Sequence, residues 1–224
     1  MRLTFLSDTH NKHKSIPKES LLGGDIIFHS GDLSSRGYVH EVENFLAWYS
    51  KLDYKYKVFI AGNHDFLFQD DPKKCQEILS RYPDVIYLQD SFVEIEGLKI
   101  WGSPWQPEFY NWAFNLPRNG SELLEKWRMI PGDCDILLTH GPPFGILDVL
   151  SDGKRVGCEV LYEEVTKFIN PKIHSFGHIH CGYGYKNIDG TVYLNSSSLD
   201  EDYMYSNSPI NLTFDKENNL ITFN

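Results

Sequence analysis

Five short apolar segments of this chain each run directly into aspartate or histidine, and this recurrence limits the fold more than any other feature. One of them, residues 56–60, is followed by Ala61-Gly62-Asn63-His64-Asp65. The other four end in Asp8-Thr9-His10, Gly31-Asp32, Thr139-His140-Gly141 and Gly177-His178-Ile179-His180. In open α/β sheets, ligands bind beyond the carboxyl ends of the strands. Packing alone does not account for five such coincidences, so the sequence predicts one site at which five strand ends meet.

The periodicity of apolar residues predicts a mixed α/β protein with two sheets and helices outside them. Helices are predicted at 40–52, from Pro72 onward, at 121–129 and at 158–169. Strands are predicted at 2–7, 25–30, 56–61, 85–88, 92–95, 98–102, 135–139, 172–176, 184–186, 191–194, 210–214 and 220–223. Asn119 or Ser121 is the predicted cap of the helix at 121–129. No repeat, low-complexity tract or linker divides the chain, so residues 1–224 are expected to form a single domain.

Charge and composition exclude several classes of protein. The net charge of −10 and the lack of any Lys or Arg run argue against an extended surface for nucleic acid. No segment approaches the roughly 18 apolar residues of a membrane helix, and the first apolar run is too short for a signal peptide. The four cysteines show no C-x-x-C spacing. A reduced, cytoplasmic protein is therefore expected.

The residue types at the five strand ends suit divalent metal ions. Carboxylate and imidazole ligands together accept Mn²⁺, Fe, Zn²⁺ or Co²⁺. Asp32 has two carboxylate oxygens and can bridge two ions, whereas Asn63 supplies a neutral oxygen that limits the negative charge beside an anionic substrate. Two ions roughly 3.5–4 Å apart form the usual clamp for in-line phosphoryl displacement. The pattern therefore predicts a two-metal site that hydrolyses a phosphate ester.

The complete set of motifs resembles the calcineurin-like metallophosphoesterases, with the same order of motifs across residues 8–180. Further segments resemble the metallophosphoesterase-domain-containing branch, the 239AB-type phosphodiesterases, and this likeness covers nearly the whole chain. These segments are 60–64, 87–91, 114–118, 139–143, 155–158 and 179–184. The resemblance implies a four-layer αββα fold, in which helices flank a two-sheet β-sandwich.

The resemblance also implies a role for each residue of the site. It assigns the first metal to Asp8, His10, Asp32 and His180, and the second to Asp32, Asn63, His140 and His178. A hydroxide held between the two divalent ions, Mn²⁺ foremost, would attack phosphorus. His64 would face the phosphate, as Asn63 does, or protonate the leaving oxygen, and Asp65 would orient His64. Some animal members of the branch resemble Gly-Gly-x-His at 177–180, so this chain keeps a ligand, His178, that they lack.

These roles imply a metal-dependent phosphodiesterase for small phosphodiesters, with cyclic nucleotides among the candidate substrates. One alternative is a metal-loaded binding or scaffold protein, although a scaffold has no physical need for His64. Another alternative is a phosphomonoesterase or protein phosphatase. The compact size of the chain, and an aromatic segment at 103–120 that would narrow the site, favour small diesters over a protein substrate. We expect no membrane partner.

The aromatic segment, residues 103–120, shows neither a helical nor a strand period and is predicted to be an ordered loop. Most of its aromatic side chains are expected in a core, and one or two are expected to stack on a nucleobase. Arg118 is a candidate phosphate contact, with a surface arginine as the competing interpretation. For Tyr183 and Tyr185, as for the aromatic side chains of the segment, the alternatives are packing in a core and stacking on a base. Residues 195–198 either bind phosphate or form a polar turn.

Five further side chains have individual predictions. Solvated histidines are expected at His13 and His40, core histidines at His29 and His174, and a small buried thiol at Cys181.

Overall fold

The strands alternate with helices through the first third of the chain and then follow one another with fewer helices between them. The structure is a computed structural model that describes residues 1–118 and 120–224. Its strands are β1 Arg2–Leu6, β2 Gly24–Ser30, β3 Tyr54–Ile60, β4 Val85–Tyr87, β5 Ser91–Ile95, β6 Leu98–Ser103, β7 Gln106–Pro107, β8 Asn115–Leu116, β9 Ile136–Thr139, β10 Ile173–Phe176, β11 Gly184–Ile188, β12 Thr191–Asn195, β13 Ile210–Asp215 and β14 Leu220–Phe223. Its α-helices are α1 Val39–Tyr49, α2 Phe66–Asp70, α3 Pro72–Leu79, α4 Ser121–Arg128 and α5 Glu159–Glu164.

Over the described residues, these strands form two six-stranded sheets and one small pair. The first sheet has the order β14-β13-β1-β2-β3-β4, and the second has the order β11-β12-β10-β9-β6-β5. Strands β1 to β4 run parallel, as do β6, β9, β10 and β12. The carboxyl ends of parallel strands lie at one edge of a sheet. Each sheet therefore collects its strand-end residues along a single edge.

Three clusters of buried side chains define the layers. The first lies between the two sheets, where Phe5 and Phe28 of the first sheet stack with their ring centroids 4.7 Å apart. The second joins the outer face of the first sheet to α1 and α3, and the third joins the outer face of the second sheet to α4 and α5. The result is the expected αββα arrangement. Because each sheet packs on both faces, inner strands such as β9 and β10 are buried along their whole length, whereas β13 nearer the edge alternates.

Local sequence explains several boundaries of these elements. Pro72 occupies the first turn of α3, and the Asp71 carboxylate caps that helix by accepting a hydrogen bond from the Lys74 amide at 3.0 Å. Glu96 and Gly97 both have positive φ, at 51° and 73°, which forms the predicted hairpin turn between β5 and β6.

Several elements of the structure differ from the sequence predictions. The aromatic segment contains the parallel pair β7–β8, although its sequence has no strand period. The predicted helix at 158–169 is α-helical only to Glu164 and continues as a π-helical turn, Val165–Ile169. Gly120 is the N-cap of α4 and Ser121 is its first residue, while the alternative cap, Asn119, lies outside the described residues.

His13 is not solvated, contrary to the prediction. Its side chain is fully buried and packs against Phe45 and Trp48. Neither ring nitrogen has a hydrogen-bond partner among the described residues. Burial lowers the pKa of His13 to about 4. The other histidines match their predictions: His40 is exposed, and His29 and His174 are buried core residues.

We expect His13→Leu to make the chelator-treated protein less sensitive to acid. Folding holds the pKa of His13 near 4, below the ordinary 6.5, so only the unfolded chain is protonated between these values. Stability is therefore lost as pH falls from about 6.5 to about 4, at close to 1.4 kcal/mol per pH unit for one proton. Urea unfolding between pH 7 and 4.5 should show a shallower slope for the variant. His40→Leu, at an exposed position, serves as the control, and equal slopes for wild type and His13→Leu would contradict the assignment.

None of the described helices has the length and apolar character needed to cross a membrane.

Candidate metal centre

The two sheets bring their strand ends to one place. Asp8 and His10 follow β1, Asp32 follows β2, and Asn63 and His64 follow β3, whereas the second sheet supplies His140 after β9 and both His178 and His180 after β10. A parallel bridge between Ser7 and Ser197 joins the sheets beside these residues. The five strand ends that the sequence predicted to meet are thus neighbours.

The backbone bends sharply at the residues that carry the site. The φ angles are 51° at Asp8, 37° at His10, 55° at Asp32 and 67° at His178. Left-handed backbone is uncommon for residues with a Cβ and is tolerated where the surrounding structure fixes it. Hydrogen bonds fix it here, for example from the Asp8 amide to the Gly31 carbonyl at 2.9 Å. The bends turn successive side chains away from strand alternation and toward a common centre.

Two glycines leave room for the carboxylates. A Cβ on Gly177 would lie 1.9 Å from Asp8 Oδ2, and a Cβ on Gly62 would lie 2.3 Å from Asp32 Oδ1. Any larger residue at these positions would displace the carboxylate beside it. The glycines of the Gly-His and Gly-Asn motifs therefore allow the two carboxylates to approach the backbone closely.

The described residues contain three groups of potential metal ligands, and within each group the ligand atoms lie within 4.8 Å of one another. They are Asp8, His10 and His180; Asp32, His140 and His178; and His10, Asp32 and His64. Asp32 is central, because its Oδ2 lies 3.6 Å from His10 Nε2, 3.3 Å from His140 Nε2 and 3.9 Å from His64 Nε2. Asn63 Oδ1 is 2.8 Å from His140 Nε2. The first two groups each contain three residues of one predicted ligand set, and Asp32 Oδ2 lies near members of both.

Backbone carbonyls orient four of the imidazoles. The Nδ1 atom of each donates to one carbonyl, and the remaining nitrogen, Nε2, faces the centre as a potential ligand. The acceptors are Ser34 for His10 at 3.2 Å, Ser35 for His64 at 2.8 Å, Ser30 for His140 at 2.9 Å and Asp200 for His180 at 2.8 Å.

The residues present fit divalent cations. His10 Nε2 is buried and has no hydrogen-bond partner within residues 1–118 and 120–224, which a bound ion would supply. The donors around it are imidazole nitrogens, carboxylate oxygens and one amide oxygen, the set that Mn²⁺, Fe, Zn²⁺ and Co²⁺ accept.

Within the centre, neighbouring histidines and aspartates shift each other's pKa values toward the charged forms. Burial disfavours the charged form of His140, but the adjacent Asp32 carboxylate outweighs burial and raises the pKa of His140 to about 9. His180 is raised to a pKa of about 9 in the same way by Asp8. Burial alone would raise the pKa of the Asp8 carboxyl, yet His180 holds it well below its usual range. Because ligand imidazoles must be neutral, metal binding would release these protons.

Asp65 does not orient His64, contrary to the prediction. Its buried carboxylate accepts hydrogen bonds from the Gly62 amide at 2.8 Å and from the Ser34 amide and hydroxyl at 3.0 and 2.6 Å. It also accepts from the Leu33 amide. Burial and the Asp32 charge raise the pKa of Asp65 to about 6. Asp65 thus ties the loop after β2 to the loop after β3, and its effect on His64 is indirect.

A cavity of about 830 Å³ opens above the centre. Its floor includes His10, Asp32, Asn63, His64, His178 and His180, and the aromatic segment lines one wall with Phe109, Tyr110 and Trp112. Phe114 is fully buried, and Trp105 is half-buried with its Nε1 bonded to Asp90 at 2.9 Å. Trp105 and Phe114 therefore pack inside, whereas Phe109, Tyr110 and Trp112 line the cavity, so fewer of these side chains lie in a core than predicted, and stacking on a nucleobase stays a prediction. Tyr183 and Tyr185 lie elsewhere, the latter stacked on Phe223 at 3.9 Å.

Comparison with known proteins gives the family. The sequence profile described as calcineurin-like phosphoesterase matches residues 1–182. The chain belongs to the calcineurin-like phosphoesterase family. It is 41% identical over 230 residues to the human Metallophosphoesterase domain-containing protein 1, and the match covers 93% of this chain and 69% of the human protein.

Solved structures share the fold of this calcineurin-like phosphoesterase. One is TT1561 of Thermus thermophilus, with a TM-score of 0.68 at 15% identity over 100% of this chain and 97% of that one. Another is reported as a novel archaeal phosphodiesterase, with a TM-score of 0.51 at 15% identity over 100% and 99% of the two chains. At these identities the likeness concerns the fold.

Residues of this calcineurin-like phosphoesterase that follow the profile match also contact the centre. Ser197 Oγ donates to Asp8 Oδ2 at 2.8 Å, so the polar residues after β12 support a carboxylate of the centre. The Tyr203 ring lies against His10 and His180, with centroids 4.9 and 5.2 Å apart. Sequence reasoning left the role of 195–198 open and missed Tyr203, because neither lies in a motif with characteristic spacing.

The Arg118 side chain is hydrogen-bonded to other parts of the protein. Its guanidinium donates to the carbonyls of Val156 at 2.7 Å and Gly157 at 2.8 Å, and to the Glu159 carboxylate at 2.8 Å. The side chain lines the cavity but links the aromatic segment to the loop before α5. The structure therefore favours a structural link over a phosphate contact.

We expect Arg118→Ala to lower the free energy of unfolding by about 1–2 kcal/mol, since three charged hydrogen bonds are lost at a partly exposed position. The KM for a diester should change little. Urea unfolding and steady-state kinetics measure the two effects, and Arg128→Ala, which breaks an ion pair at a more exposed side chain, is the matched control. A large rise in KM with unchanged stability would restore the phosphate role.

Cys181 is exposed, so the prediction of a buried thiol is wrong. The residue follows His180 on a 3₁₀ turn at His180–Gly182, and its Sγ donates to the Val149 carbonyl at 3.1 Å.

Proposed function

We propose that this calcineurin-like phosphoesterase is a metal-dependent phosphodiesterase for small phosphodiesters. The observation that carries the proposal is the position of His64 Nε2, which faces the same space as the candidate ligands at the floor of the cavity. A cavity of about 830 Å³ lies within the size range of small-molecule sites and suits a nucleotide-sized diester. The structural neighbour reported as an archaeal phosphodiesterase is consistent with this proposal.

Hydrolysis of a diester consumes one water. A pair of divalent cations, when bound, supplies Lewis-acid activation of phosphorus and of the attacking water. The P–O bond to water forms, the P–O bond to the leaving group breaks, and the leaving oxygen takes a proton from His64 Nε2. The proton released by the water passes to solvent, from which His64 is protonated again. Ser35 holds the Nδ1 of His64, so Nε2 is the atom available to the leaving oxygen.

The finer features of the proposal follow from the donor set and the cysteines. Mn²⁺ is the first cation to test, because carboxylate and amide oxygens share the centre with imidazole. All four cysteines are free thiols, which fits a reducing compartment such as the cytoplasm. Cyclic nucleotides are candidate substrates, because the aromatic wall of Phe109, Tyr110 and Trp112 offers faces for a base.

The test is hydrolysis of bis-p-nitrophenyl phosphate by chelator-treated protein to which Mn²⁺, Fe²⁺, Zn²⁺ or Co²⁺ is added. The matched monoester, p-nitrophenyl phosphate, and a cyclic nucleotide are assayed in parallel. We expect turnover of the diester only with added metal, and a higher kcat/KM for the diester than for the monoester. Metal binding without turnover would support a binding protein, and preference for the monoester would support a phosphomonoesterase.

A further inference from the structure

The imidazole of His64 stacks on the indole of Trp112. The ring centroids are 4.0 Å apart and the planes differ by 25°. The two residues are 48 positions apart in sequence, and Trp112 belongs to the aromatic segment that forms one wall of the cavity. The carbonyl of Ser35 fixes the position of Nδ1, but this hydrogen bond leaves the plane of the imidazole free to tilt, and the His10 ring meets the imidazole only edge-on, with centroids 4.5 Å apart. The indole face restricts that tilt.

One contact of the Trp112 ring and two backbone hydrogen bonds of the residues after it hold the indole in place. The next residue, Ala113, donates its amide to the Asn63 carbonyl at 3.0 Å, which ties the segment to the strand end that carries His64. The amide of Phe114 donates to Gln69 Oε1 at 2.5 Å. The guanidinium carbon of Arg36 lies 4.7 Å from the Trp112 ring centroid, a cation–π distance. The indole is therefore a fixed support.

We propose that Trp112 is a positioning residue that fixes the plane of His64 for proton transfer to the leaving oxygen. This inference rests on the proposed phosphodiesterase function. It gives the aromatic segment a role in the chemistry beyond narrowing the cavity. A misplacement of about 1 Å in a reacting group can cost on the order of 10²-fold in rate.

Two substrates with different leaving groups distinguish a loss of His64 positioning from general damage to the site. Diphenyl phosphate and bis-p-nitrophenyl phosphate have similar shapes, but phenol is a much weaker acid than p-nitrophenol and depends more on a proton donor. We expect Trp112→Ala to lower kcat for diphenyl phosphate by roughly 10–100-fold, and kcat for the nitrophenyl diester by a much smaller factor. Trp112→Phe, which keeps a flat face, should recover much of the loss. Metal content is measured for each variant.

A double-mutant cycle and a metal-free measurement complete the test. In the His64→Ala background, Trp112→Ala should not change the ratio of the two kcat values further. In metal-free wild type, the ring current of Trp112 should shift the His64 ring protons upfield in NMR spectra, and Trp112→Ala should remove the shift. Equal losses on both substrates, additivity in the double mutant, or unmoved His64 resonances would each overturn the inference. If wild type hydrolyses neither diester, the proposed function fails, and the NMR shift still reports the stack.

Discussion

Asp32→Asn is expected to reduce diester hydrolysis by roughly 10³-fold or more and to weaken metal binding at both positions. Asp32 Oδ2 faces three imidazole Nε2 atoms, and His140 holds the pKa of the Asp32 carboxyl well below its usual range despite burial. An amide keeps the size of the side chain but loses the negative charge that would attract the cations. This factor corresponds to several kcal/mol of lost transition-state stabilisation. Hydrolysis of bis-p-nitrophenyl phosphate and metal titration by calorimetry measure the effects.

The matched control is Asp133→Asn. Asp133 is an exposed carboxylate paired with Lys99 at the amino end of β9, away from the centre. This variant should bind metal and turn over substrate like wild type. Two tightly bound ions in Asp32→Asn would show that Asp32 does not bridge the two positions.

His64→Ala is expected to slow hydrolysis by roughly 10²–10⁴-fold while metal stoichiometry stays unchanged, the range for loss of a general acid. The imidazole is oriented by Ser35 and Trp112, and its Nε2 lies 3.9 Å from Asp32 Oδ2. The loss should be larger for diphenyl phosphate than for the nitrophenyl diester, because the poorer leaving group needs the proton more.

Asn63→Ala provides the complementary variant, since Asn63 Oδ1 lies beside His140 Nε2 and its loss should weaken the second metal position. If His64→Ala also loses metal, the His64 side chain is a ligand, as the group of His10, Asp32 and His64 allows. The division of labour between Asn63 and His64 would then be wrong.

The strand-end pattern predicted the gathering of Asp8, Asp32, Asn63 and His140 because parallel strands fix where their carboxyl ends lie. This prediction needed only strand order and period. The left-handed backbone of Asp8 and Asp32 could not be predicted in this way, because it depends on neighbours that hold the loops.

The errors concern side chains whose environment comes from distant segments. Arg118 is bound by acceptors at 156–159, and His13 is enclosed by two rings of α1. Asp65 bonds with the loop after β2, which sequence adjacency to His64 did not suggest. The stack of Trp112 on His64 likewise has no local signal, apart from the density of aromatic residues in the segment. Long-range partners, rather than propensity, decided each of these cases.

The link between Ser7 and Ser197 has a consequence for where this domain can be cut. The profile of the family ends at residue 182, yet Ser197 supports Asp8, the Asp200 carbonyl orients His180, and β13 pairs with β1. A truncation at residue 182 would remove β13 and β14 from the first sheet, β11 and β12 from the second, and two supports from the first metal position. We therefore expect residues 183–224 to be required for both sheets to fold, and the residues of the centre to come together only once β13 has paired with β1.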